Sequence, residues 1–320
     1  MKNKIMSTLI LTLISTGVTF ADSNTEKIMY TNDLHANTSV ISTIQDSKNT
    51  LWIDGGDLLH GTDLALMTQG EAVVDLANNA GLDILVPGNH DFDYGWKRLK
   101  ELETKFEGDI AASNVYYSGT KDRVFKPYVE ETVNGKKILI IGLTTEEINT
   151  RIYKPMVEGI TVTNPIEEYN KVVSGLDLES YYKVILVAHV GDKVISKGNF
   201  KGADVILDGH DHIYKYKGEY INNGFNGESY TLINVENMGI SAQKFTTKSV
   251  KTALEIISKH NKSIPKQPKD TKIMKLKERK NLDKIAEELN IDWRILYQLN
   301  KDKGLSQKYQ FVGESIKIPK

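Results

Sequence analysis

Five short polar blocks hold most of the side chains in this sequence that could do chemistry. They are Thr31-Asn32-Asp33-Leu34-His35, Gly55-Gly56-Asp57, Gly88-Asn89-His90-Asp91, Ala188-His189 and Gly209-His210-Asp211-His212. Five of the seven histidines fall inside them, so the imidazoles gather where carboxylates already stand. Carboxylates and imidazoles together suit Mn, Fe, Zn or Co, and one shared carboxylate can bridge two such ions about 3.5–4 Å apart. On an extended segment alternate residues share a face, which predicts that Asp33 pairs with His35, and His210 with His212. A lone Asp-x-His is most often a solvated loop. Five such blocks in one setting are not explained that way. His60 and His260 lie outside the blocks and read as structural or surface histidines.

The setting is the end of a strand. Apolar runs at Lys27-Ile28-Met29-Tyr30, Leu51-Trp52-Ile53, 83–86, 137–141, 183–187 and 205–207 read as strands, and five of them run into a block. Between them, 70–80 has helical spacing and stops at Gly81, 94–106 is amphipathic and closes at Gly108, and 165–176 is helical. Strands at 230–235 and 240–246 and a helix at 250–260 follow. This alternation predicts an α/β layered domain. Ligand sites in open α/β sheets form outside the carboxyl ends of strands, where five polar loops can converge. Glycines beside the polar residues let the backbone turn sharply there.

Composition bounds the rest. With 320 residues and 40% hydrophobic content, the chain can bury a core and has room for roughly two domains. There is no cysteine, which excludes disulfides, thiolate ligands and a cysteine nucleophile. Lys2 and Lys4, the largely apolar run from Ile5 to Phe20, and Thr19-Phe20-Ala21 predict a signal peptide over 1–21, cleaved after Ala21. The run is shorter than the roughly 20 apolar residues of a comfortable span, and no later stretch qualifies. The mature chain is therefore expected to have no membrane span and to be secreted, whether periplasmic, wall-associated or extracellular. A unit over 22–260 precedes a Lys/Pro-rich linker over 261–271 and a small unit over 272–320. Residues 261–320 carry 15 Lys and Arg against 8 Asp and Glu, although the whole chain is at −1. A polyanion-binding tail and a merely solvated surface both fit that excess.

The blocks resemble, in order and spacing, the calcineurin-like metallophosphoesterase superfamily. Gly88-Asn89-His90-Asp91-Phe92-Asp93-Tyr94-Gly95 and Tyr30-Thr31-Asn32-Asp33-Leu34-His35 are similar to its 5'-nucleotidase/UDP-sugar hydrolase branch, across roughly Lys27 to His260. The resemblance implies a layered β-sandwich flanked by helices (αββα) and two divalent cations. It implies that Asp33, His35 and His212 bind one ion, that Asn89, His189 and His210 bind the other, and that Asp57 bridges them. His90, held by Asp93, would not bind either ion and would stabilise the transition state or protonate the leaving oxygen. Asp91 stands where the branch usually has Glu and would support the site. Cations of this kind acidify a bridging water and hold phosphate oxygens, so the implied reaction is hydrolysis of a phosphate ester, with a nucleotide as the expected substrate. The branch usually supplies nucleobase-stacking aromatics from a large C-terminal domain, which the sixty residues after His260 do not match. A phosphodiesterase acting on cyclic nucleotides or nucleotide sugars, and a wall-binding protein with an idle metal fold, are the competing readings. No nucleic-acid duplex is expected as partner.

The tail resembles a LysM domain. The carrying segments are 281–286 (NLDKIA), 293–300 (WRILYQLN) and 312–319 (VGESIKIP). The resemblance implies a small βααβ domain that binds peptidoglycan or another N-acetylglucosamine glycan. Arg279-Lys280-Asn281 replaces the usual Gly-Asp-Thr. Leu282, Ile285, Leu289, Ile295, Leu296 and Leu299 are expected in its core.

Overall fold

The computed structural model describes residues 27–44, 50–245, 251–277, 282–301 and 315–320. The expected signal segment 1–21, Arg279-Lys280-Asn281 and the start of 312–319 lie outside the described residues. The strands run β1 Lys27–Thr31, β2 Thr50–Asp54, β3 Leu82–Leu85, β4 Asp109–Ile110, β5 Val115–Tyr117, β6 Tyr128–Val133, β7 Lys136–Thr144, β8 Ile160–Val162 and β9 Lys183–His189. They continue with β10 Val205–Asp208, β11 Tyr214–Lys217, β12 Tyr220–Asn223, β13 Tyr230–Asn234, β14 Ile240–Gln243, β15 Thr271–Lys275 and β16 Ser315–Pro319. The helices are α1 Thr38–Ile41, α2 Asp63–Thr68, α3 Glu71–Ala80, α4 Trp96–Glu103, α5 Ile148–Arg151, α6 Lys154–Val157, α7 Pro165–Ser174, α8 Asp192–Ile195, α9 Lys251–Ser263, α10 Leu282–Leu289 and α11 Trp293–Asn300.

Two six-stranded sheets face each other, in the orders β14-β13-β1-β2-β3-β4 and β11-β12-β10-β9-β7-β6. The period of two along each strand explains the layering. Ile28 and Tyr30, Leu51 and Ile53, Ile138 and Ile140, Ile185 and Val187, and Val205 and Leu207 fill one apolar core between the sheets. Their alternates point outward. Met29, Trp52, Leu82 and Leu85 pack with α3 and α4 residues such as Val73, Leu76 and Leu99. Leu139, Ile141, Val184 and Leu186 pack with Tyr169 and Val172 of α7. The result is the expected α/β architecture, with sheets flanked by helices.

Parallel pairing sets the level of the strand ends. Thr31 lies beside Asp54 across β1 and β2, Thr144 beside His189 across β7 and β9, and Asp208 beside Ala188 across β10 and β9. The loops that follow therefore leave both sheets on one side. The alternation did not reveal the short strands β4, β5 and β8, or the edge strands β6 and β11, because they are brief or half-exposed. α9 runs to Ser263, three residues into the expected linker, and stops before Ile264-Pro265, where the proline disfavours a helical residue ahead of it. Beyond it, β15 and β16 pair antiparallel around α10 and α11, with a separate core that includes Leu282, Ile285, Leu296 and Ile316. No helix among the described residues is long and apolar enough to cross a membrane.

Candidate metal centre

The polar blocks meet because their backbones leave the strands in unusual conformations. Asp33, His35, Asp57, His210 and His212 have φ of 51°, 46°, 56°, 88° and 58°. Side-chain-bearing residues rarely occupy the left-handed region, and such outliers gather at functional sites. This corrects the expectation that extended backbone pairs Asp33 with His35 and His210 with His212. Tight left-handed turns bring these side chains inward instead. Hydrogen bonds from the Asp33 and His35 N–H groups to Gly56 and Asp57 carbonyls, at 2.9 and 2.8 Å, lock the first two loops together. Glycine is required where the loops touch. A Cβ on Gly88 would stand 2.3 Å from Asp57 Oδ1, and Gly56, at φ +93°, packs against the Gly88 backbone.

Asp33, His35, Asp57 and His212 bring one donor atom each within 4.8 Å of one another. His212 Nε2 is 3.4 Å from Asp33 Oδ1, and His35 Nε2 is 3.7 Å from Asp57 Oδ2. His189 Nε2 lies 3.4 Å from the same Asp57 oxygen. Asn89 Oδ1 and His210 Nδ1 face each other at 2.8 Å. His189 tests whether cations fit. It is fully buried, and its Nδ1 donates to the Gly55 carbonyl at 2.7 Å. In the neutral ring Nε2 is then a lone pair aimed at two carboxylates, with no hydrogen-bond partner among the described residues. A buried polar atom without a partner needs an explanation, and a divalent cation between it and Asp57 supplies one. Burial alone would lower the His189 pKa, but Asp57 and Asp33 raise it to about 10. Burial would likewise raise Asp57, and the His189 charge holds it below the usual carboxylate range instead. Both shifts describe a pocket that favours positive charge, whether from a ring proton or from a cation.

His90 stands apart from those donors. Its N–H reaches Asp57 Oδ1 at 2.7 Å, while its ring Nδ1 lies 2.7 Å from Asp93 Oδ2. That bond to Asp93 outweighs burial and lifts the His90 pKa to about 9. Asp91 is buried. Its two oxygens accept the backbone N–H groups of Asp57, Leu58, Leu59 and Gly88 at 2.8–3.0 Å, stapling two polar loops together.

Several supporting residues escape sequence reasoning. Asn32 donates to Asp33 Oδ2 at 2.7 Å and accepts from the Asn223 N–H, which aims the Asp33 carboxylate. Buried Asp208 accepts from the Val190 and Gly191 N–H groups and from Tyr220, and burial raises its pKa to about 7. Glu147 Oε2 sits 3.0 Å from His210 Nε2. Phe225 stacks on His212 with 4.4 Å between centroids. Glu147 and Phe225 carry no spacing signal, because each comes from a loop remote in sequence from the histidine it meets, and Asn32 and Asp208 adjoin polar blocks but find their partners far along the chain. His60 is half-buried, and its ring stacks beside His90. His260 is structural as expected, with Nε2 2.8 Å from Asp75 Oδ2 and α9 thereby tied to α3.

Comparison with known proteins places this geometry. A probable 5'-nucleotidase of Treponema pallidum is 31% identical over 171 residues, covering 52% of this chain and 29% of that protein. Protein UshA of Salmonella pullorum is 30% identical over 149 residues, covering 46% and 27%. The chain thus spans less than a third of the length of these curated relatives. The solved 5'-nucleotidase precursor of Thermus thermophilus superposes with a TM-score of 0.62 at 18% identity, covering 87% of this chain and 68% of that one, which speaks to the fold alone. The calcineurin-like phosphoesterase profile, whose members work with two divalent metal ions, matches residues 26–214. That span includes every polar block described above, and with it the chain belongs to the calcineurin-like phosphoesterase family.

Proposed function

We propose that this protein hydrolyses phosphate esters, nucleotides first among them, at a centre of two divalent cations. The observation that carries the reading is the buried His189 Nε2, which faces Asp57 with no hydrogen-bond partner among the described residues, within a ring of donors from five strand ends. Asp33, His35 and His212 would hold one ion, Asn89, His189 and His210 the other, with Asp57 between them. Mn, Zn, Fe or Co all suit these donors. When bound, such a pair supplies an acidified water and charge compensation for the phosphate oxygens. The protein's own residues do the rest. Asp93 accepts from His90 Nδ1, which fixes the ring and leaves Nε2–H to be given to the departing oxygen. Asp91 and Asn32 hold the loops and the Asp33 carboxylate, so little reorganisation accompanies the reaction. The names of the 5'-nucleotidase relatives support a nucleotide substrate.

The test is hydrolysis of p-nitrophenyl phosphate and its bis ester, with Mn²⁺ and with EDTA. We expect Mn²⁺-dependent release, faster from the monoester. Release that ignores EDTA, or none with any cation, rejects the reading, and a faster diester replaces phosphatase by phosphodiesterase.

We also propose that the chain is secreted and that residues 272–320 hold it to N-acetylglucosamine glycan. Support comes from the strand-helix-helix-strand order and separate core of that segment. Retention on purified peptidoglycan tests the tail, and an intact Met1 in the mature protein would contradict a cleaved signal.

A further inference from the structure

A second group of cation-binding side chains lies beside the first. His60, His90 and Asp93 bring one donor atom each within 4.8 Å of one another. Both imidazoles turn Nδ1 toward the same oxygen, Asp93 Oδ2, His90 at 2.7 Å and His60 at 3.5 Å. The two rings are nearly parallel, with 16° between planes and 5.6 Å between centroids, so these edges stand side by side. A single proton can join Asp93 to one imidazole only. The second nitrogen then faces an oxygen that it does not reach at normal hydrogen-bond distance. A divalent cation satisfies all three atoms together. Two imidazoles and a carboxylate, with a fourth position open, form a donor set that Zn²⁺ takes readily. The side chains of His60, His90 and Asp93 are 33%, 41% and 24% exposed, so an ion can arrive from solvent.

We propose that His60, His90 and Asp93 form a third cation site, weaker than the dinuclear centre, whose filling takes His90 and Asp93 out of use. Excess zinc would then inhibit the enzyme through its own acid group. The inhibitory consequence rests on the phosphoesterase reading, whereas the binding itself does not. His60 serves only this site among the three, which makes it the residue to change.

The experiment uses the untagged full chain, stripped with chelator and equilibrated with rising Zn²⁺, with bound metal counted by mass spectrometry. Wild type should hold one zinc equivalent more than His60→Ala. His60→Gln, which keeps a polar side chain of similar reach, should match His60→Ala. In parallel, Mn²⁺-loaded wild type should lose turnover as zinc rises, toward the ~10²-fold drop expected when a general acid is disabled. Both variants should resist that inhibition. Equal zinc content in wild type and both variants, or inhibition unchanged by the loss of His60, overturns the proposal. If no form hydrolyses any ester while the one-equivalent difference persists, the cation site stands and the phosphoesterase reading falls.

Discussion

At the scale of single residues, roles divide according to whether a side chain faces Asp57 or turns from it. Asp57 Oδ2 is approached by both His35 and His189, so Asp57→Ala should lose both cations together, measured as metal content after gel filtration. His90→Ala should keep both and lose ~10²–10⁴-fold in turnover, the usual worth of a positioned acid. Retained turnover in that variant would remove His90 from the chemistry. The pH behaviour follows from Asp93. Its carboxylate raises His90 to about 9, so the ring keeps its proton below that value and loses it as the pH rises through it. Asp93→Asn withdraws the support and lets the pKa fall toward the ordinary value of about 6.5. The basic limb of the rate profile should then move to lower pH, and the variant should lose more at about pH 8 than at about pH 6. A limb that stays in place contradicts the pairing.

At the scale of elements, buried carboxylates fasten the strand-end loops. Asp91 binds four N–H groups across two of them. Asp54 accepts from Thr31 Oγ1 and from the Gly56 N–H. In Asp91→Asn an NH₂ donor replaces one acceptor oxygen and confronts backbone N–H groups at 2.8–3.0 Å. That mismatch should cost about 1–3 kcal/mol in urea denaturation, with weaker metal retention as the functional trace. A variant as stable and as metal-rich as wild type would mean that these loops hold their shape without the staple.

At the scale of the whole molecule, the tail unit has its own core and touches the body lightly. Tyr297 and Lys301 reach Asp63 at 3.2 Å, and Gln267 of the linker reaches the Gln298 carbonyl at 2.7 Å. Exposed contacts of this kind contribute little, so the two units should be separable by mutation. Leu296 is fully buried in the tail core. Leu296→Ala should destabilise the tail by ~2–5 kcal/mol, abolish retention on peptidoglycan and leave ester hydrolysis unchanged. Hydrolysis that falls with tail stability would instead tie the units into one cooperative whole.

The sequence by itself determined the layered α/β alternation, the strand ends as the place of the chemistry, and the residue types that meet there. It could do so because apolar periodicity and side-chain chemistry are local properties. The four-residue cluster of Asp33, His35, Asp57 and His212 was legible for that reason. Tertiary structure alone decided how those residues face one another, since left-handed turns at Asp33, His35, His210 and His212 replace the extended pairing that spacing suggested. It alone brought Glu147 to His210, Asn222 and Asn223 to Asn32, and His60 to Asp93. Glu147 and the two asparagines meet partners far along the chain, and His60 meets a carboxylate on another loop. The closing of two sheets over a shared core brings Asn222 and Asn223 to Asn32, whereas Glu147 with His210 and His60 with Asp93 meet because loops leave strands of one sheet at the same end.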